Sequence, residues 1–146
     1  MTDFDDLDYD KQVEAIQEEN EPVLAAFEQW LTDKGLAKKT IRRHMENVAF
    51  FAEYLTYYEP LQSLGEADEV DFGDFCGNWF PRKAMWASAN SAKSNLTSFR
   101  KFISFMEEAG YWDAKHAQSI RDDLKENKEE YIETAETYYD RYADEW

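Results

Sequence analysis

The sequence predicts an all-α protein: a single bundle of four to five helices followed by an acidic C-terminal helix. Three observations predict it. Apolar residues recur three and four apart through most of the chain, the spacing that lines up one face of a helix. Five Gly and three Pro are few for a sandwich or barrel, whose many short strands need many turns. Hydrophobic residues make up 43% and aromatics 16% of 146 residues, enough apolar side chain to offset the entropy of ordering one core.

The elements follow in order. MTDFDDLDYD is acidic and without helical period, and is expected to be a solvated tail. A helix is expected from about Lys11, where Val13 and Ile16 and then Val23, Leu24, Phe27, Trp30 and Leu31 share a face. Pro22 suits the first turn of a new helical segment there, and Gly35 stops it. The next helix is expected over Lys38 to Tyr57. Ile41, His44, Met45, Val48, Phe51, Ala52 and Leu55 line one side, while Lys39, Arg42, Arg43 and Glu46 point the other way. EPLQSLGEADE reads as a loop.

Two short helices are expected next, Val70 to Phe80 and one opened by Pro81 that runs through Met85 and Trp86. A long helix over Ala92 to Ala109 turns Leu96, Phe99, Phe102, Ile103 and Met106 inward and Lys93, Thr97, Arg100, Lys101 and Ser104 outward, and Gly110 ends it. From about Asp113 to the end, Ile120, Leu124, Tyr131, Ala135, Tyr138 and Tyr142 form a stripe amid acids, so this helix must find a surface to cover. The organisation is thus 1–21, an acidic tail and the start of the first helix; 22–112, the helical domain; and 113–146, an acidic helical extension.

Charge is distributed unevenly. The net charge is -16, with nine acids and one base from Met1 to Glu21 and ten acids and four bases from Arg121 to Trp146. The 99 residues between hold thirteen acids and eleven bases, with two acid-free windows of five bases each, Lys34 to Met45 and Phe75 to Met106. Cations gathered on one helix face, with Ser, Thr and Asn among them, are what contact with a phosphate backbone requires.

The run FEQWLTDKGLAKKTIRRHMENVAFFAEYL resembles the first two helices of the core-binding, SAM-like domain of phage integrases and other tyrosine recombinases. Gly35, Leu36, Lys39, Thr40, Ile41, Val48, Phe51 and Leu55 occupy that motif's places, and Ala37 and His44 stand where a capping Ser and a Tyr are usual. NSAKSNLTSFRKFISFMEEAGYW resembles the domain's last helix through Phe99, Phe102, Met106 and Gly110. The resemblance covers about Val23 to Trp112. It implies an integrase-type core-binding bundle and one arm of a clamp on double-stranded DNA. It points to Lys38, Lys39, Thr40, Arg42 and Arg43 as DNA contacts, with Lys93, Asn95, Thr97, Arg100 and Lys101 as a second surface. It also implies a place in site-specific recombination and DNA integration.

The resemblance ends before the catalytic domain, and the sequence has two His and no His-x-x-Arg box to neutralise a phosphate under attack by a tyrosine. The expectation is therefore a non-catalytic DNA-binding module. The alternative is an acidic protein-interaction module whose partner is a basic protein or a recombinase subunit. No cofactor and no metal are expected. Neither His44 nor His116 has a second ligand at metal spacing, and they read as a core-edge and a solvated histidine. Cys76, in DFCGNWF, reads as a buried small hydrophobe, and Trp79, Phe80, Trp86, Phe99 and Phe102 as core. With one cysteine, no basic-plus-apolar leader and no long apolar run, a cytoplasmic protein without membrane contact is expected.

Overall fold

The computed structural model describes Phe4 and residues 7–143, with side chains through Tyr139. Residues 1–3, 5 and 6 of the expected acidic tail, and the side chain of Tyr142, lie outside the described residues. Those described are helical without a strand, as the apolar spacing predicts. The chain divides into two compact units, 1–67 and 68–146, a boundary that falls inside the segment 22–112. No helix among the described residues is long and apolar enough to cross a membrane.

In the first unit, α1 (Tyr9–Asp33) starts two residues before the expected Lys11, because the Asp8 carboxylate accepts from the backbone N–H of Lys11 at 2.9 Å. The helix does not restart at Pro22 but runs through it. Proline cannot donate to the carbonyl one turn back; Pro22 is exposed, where water can serve that carbonyl, and the buried stripe Ile16, Asn20, Val23, Phe27 and Leu31 continues past it. Gly35, at φ 81°, closes the end. Its N–H donates to Thr32 O at 2.9 Å and the Leu36 N–H to Leu31 O at 3.4 Å, the double bond of a left-handed helix stop.

Helix α2 (Lys38–Tyr54) packs on α1, with Val48, Phe51 and Ala52 buried, and ends three residues before the expected Tyr57. The expected loop after it contains a 3-10 turn, Leu64–Glu66, whose Leu64 is fully buried. Asn20 explains the seat: its side-chain oxygen accepts from the Leu64 N–H at 2.9 Å, so a buried amide of α1 satisfies a buried backbone donor.

In the second unit, α3 (Glu69–Asp74), a π-helical turn (Phe75–Trp79) and α4 (Phe80–Lys83) form one helical run where two separate helices were expected. Asp68 caps it, accepting from Val70 N and Asp71 N at 3.0 and 3.3 Å, and Asp71 accepts from Asp68 N in return. Met85 and Trp86 lie outside this helix and are 88% and 61% exposed, so Trp86 is not core. Ser88 caps α5 (Ala89–Glu108), which Gly110, at φ 84°, ends as Gly35 ends α1. Around Phe99 the core is aromatic, with Phe72 and Phe75 at 5.2 and 5.5 Å in edge contacts.

The C-terminal segment is two helices, α6 (Ala114–Glu126) and α7 (Lys128–Ala143), where one acidic helix was expected after the bundle of four to five. Asn127 makes the break, its side-chain amide folding back to Asp123 O at 3.0 Å and Asp123 Oδ1 at 3.1 Å. The stripe finds its cover: Ile120, Leu124, Tyr131 and Ala135 are buried, and α7 packs on α5 and the π-helical turn. Tyr131 lies over Gly73 and Gly77, where an added Cβ would come within 3.1 Å of it, and its hydroxyl donates to Asp123 Oδ2 at 2.8 Å.

Candidate functional site

The apolar face of α2 dictates its polar face. With His44, Val48, Phe51 and Ala52 turned inward, Lys38, Lys39, Thr40, Arg42 and Arg43 are left on the outside, and all five are exposed. None of the four cations has an acid within ion-pairing distance among the described residues.

The start of α2 is unusual in a second respect. Ala37 holds the N-cap position in extended backbone, φ -66° and ψ 149°, but has no side-chain oxygen to accept from the first turn. Intrahelical bonding begins only with Ile41 N to Ala37 O at 3.0 Å, so the N–H groups of Lys38, Lys39 and Thr40 point out of the helix without a side-chain cap. No acid lies in that turn. The positive end of the helix dipole, worth about half an elementary charge, therefore coincides with Lys38 and Lys39 of the first turn, and Arg42 and Arg43 follow in the second. Like charges meet there, and an anion in front of the turn relieves the repulsion while taking up the free donors.

The second expected surface lies in the second unit. Lys93, Thr97 and Arg100 are exposed along α5 and Lys101 is half-buried. Thr97 is occupied locally: its hydroxyl donates to Lys93 O at 3.0 Å and accepts from Arg100 Nη2 at 3.4 Å. Asn95 corrects the expectation. It is only 4% exposed, facing a small internal void with Cys76 and Tyr131, because α7 covers that part of α5. Its side chain is not available to a partner.

Other reactive residues have structural employment. Burial, with the nearby Asp123 carboxylate second, pushes the Cys76 thiol well up, so it stays protonated. His44 is buried at 5% exposure. His116 is half-buried against Trp112, ring centroids 5.0 Å apart, and so is less solvated than its sequence surroundings suggest. Among the described residues no group of three His, Cys, Asp or Glu could hold a metal.

Sequence reasoning passed over Arg121, Lys125 and Lys128, which the surrounding acids disguise as part of a negative tail. The legible signal was their spacing, four and three apart, which groups them on one side and against α5 in a cleft. No known protein family, curated protein or solved structure matches the chain.

Proposed function

We propose that the protein is a cytoplasmic, non-catalytic module that binds double-stranded DNA through backbone phosphates, with the start of α2 as its principal contact. One observation carries the reading: four exposed, unpaired cations stand in the first two turns of a helix whose N-terminus is uncapped, so positive charge and free N–H donors lie at the same end of α2. The sequence resemblance over about Val23 to Trp112 to the core-binding domain of tyrosine recombinases supports it, because that resemblance points to the same residues as DNA contacts. On α5, Lys93, Thr97, Arg100 and Lys101 form the secondary contact, without Asn95. Binding that rests on phosphates has low sequence specificity, and a recombinase subunit would supply the rest.

The test is anisotropy of a labelled duplex titrated at several salt concentrations. Four phosphate contacts give a log–log salt slope of about -3.6, or about 150-fold weaker binding at 200 mM than at 50 mM salt. The Lys39→Glu, Arg42→Glu, Arg43→Glu variant should lose that dependence. A second reading, an acidic module that docks a basic protein, is favoured by the net charge of -16 and predicts no duplex binding even at low salt.

A further inference from the structure

The second unit holds a cleft of about 570 Å³ between α5, α6 and the start of α7. Its floor is apolar, made by Leu96 and Leu124, both almost fully buried within the unit. Around the floor stand four cations from three helices: Arg100 of α5, Arg121 and Lys125 of α6, and Lys128 of α7. The one carboxylate in the lining, Asp122, accepts a hydrogen bond from Gln118 at 2.8 Å. This concentration of positive charge is against the trend of its surroundings, since residues 68–146 hold seventeen acids and ten bases, a net of -7.

The cations are mostly uncommitted. Arg121 pairs with Glu107 at 2.8 Å. Arg100 donates only to the neutral Thr97 hydroxyl, and Lys125 and Lys128 have no ion pair among the described residues. Three like charges held around one small space repel one another, and an anion among them reverses the sign of that interaction.

We propose that this cleft binds a small phosphorylated molecule with an apolar body, of about the size of a nucleotide or an aryl phosphate. The volume is that of a small-ligand site. A phosphate monoester carries close to two negative charges near neutral pH and three acceptor oxygens, so it can face Arg100, Lys125 and Lys128 together, where a monocarboxylate would leave charge unmet. Leu96 and Leu124 close the bottom of the cleft but are only 2% and 3% exposed, so the apolar part packs chiefly on the aliphatic stems of the Arg and Lys side chains that ring them. A duplex presents its phosphates on a convex surface and would leave the cleft behind the cations unfilled. The proposal is independent of the α2 face.

The probe is 1-naphthyl phosphate, titrated by calorimetry into the full chain, with inorganic phosphate and 1-naphthol titrated separately. The expected result is saturable binding of naphthyl phosphate with Kd below about 1 mM, and about tenfold weaker binding of either part alone. Lys125→Ala with Lys128→Ala should weaken it about tenfold, while the circular-dichroism melt of that variant stays cooperative. The triple Glu variant on α2 should bind naphthyl phosphate as the parent does. No saturable binding of naphthyl phosphate, or binding unchanged in the double Ala variant, overturns the proposal. If the double variant instead weakens duplex binding and naphthyl phosphate does not bind, the cleft is part of a nucleic-acid surface and the proposal is equally overturned.

Discussion

Replacing Ala37 by Asp separates stability from binding at the start of α2. The backbone at Ala37, φ -66° and ψ 149°, already has the extended conformation of an N-cap residue, so the new carboxylate can reach the N–H groups of Lys39 or Thr40 without rearrangement. Filling an empty cap contributes about 1 kcal/mol, and a negative charge at the positive end of the dipole contributes about 0.3–1 kcal/mol more. The variant should therefore be more stable by about 1.5 kcal/mol, read in urea as a midpoint raised by about 0.5–1 M with the slope unchanged. Duplex binding should move the other way. The same carboxylate occupies the donors proposed for a phosphate and adds a charge of the wrong sign, which predicts about tenfold weaker binding at 100 mM salt and a salt slope shallower by about 0.9. Ala37→Ser provides the neutral comparison, with about 1 kcal/mol of stabilisation and a smaller loss of binding. A variant that is stabilised but binds duplex unchanged would refute a phosphate at this helix end. A variant that is not stabilised would refute the unsatisfied first turn itself.

Two further outcomes test the second unit. Gly77→Ala places a methyl group 3.1 Å from Cε1 of the buried Tyr131, whose hydroxyl is tied to Asp123, so the ring has little room to give. The clash should exceed the gain in helix propensity and lower stability by about 1 kcal/mol in urea unfolding; a stabilised variant would show that Tyr131 yields. Alkaline pH should also destabilise the protein. Burial raises the Cys76 thiol, burial and then the hydrogen bond to Asp123 raise the Tyr131 phenol, and the hydrogen bond to Glu53 holds Tyr57 at about 12. The folded state then keeps protons that the unfolded chain gives up, so this contribution is complete at neutral pH and is lost as pH rises from about 8.5 upward. The urea midpoint should fall between pH 8 and 11, and less steeply for Tyr131→Phe; a flat profile in the parent contradicts the assignment.

The α2 face was legible because a helix's phase is set locally. Once Val48, Phe51 and Ala52 are seen to be apolar three and four apart, the opposite side must carry Lys39, Arg42 and Arg43, whatever packs on the helix. The helix stops at Gly35 and Gly110 were legible for the same kind of reason, since both adopt the left-handed conformation that glycine takes at little steric cost. Asn95 was misplaced because it lies near the edge of the α5 stripe. Periodicity alone does not say how wide a strip a neighbouring helix will cover, and α7 covers this residue.

By itself, then, the sequence determined the helical class, the glycine stops, the aromatic core around Phe99 and the cation-bearing side of α2. All of these follow from interactions between residues a turn or two apart, or from apolar side chains that must leave water. Tertiary structure alone decided the rest. Asn20 meets Leu64 across 44 positions, Tyr131 lies over Gly73 and Gly77, and Arg100 shares a cleft with Lys125 and Lys128. Each is a meeting of residues remote in the chain, and it exists only once a helix has chosen the surface that buries its apolar stripe. For α7 that surface is α5 and the π-helical turn, and its choice both removed Asn95 from the outer surface and brought Lys128 to the cleft.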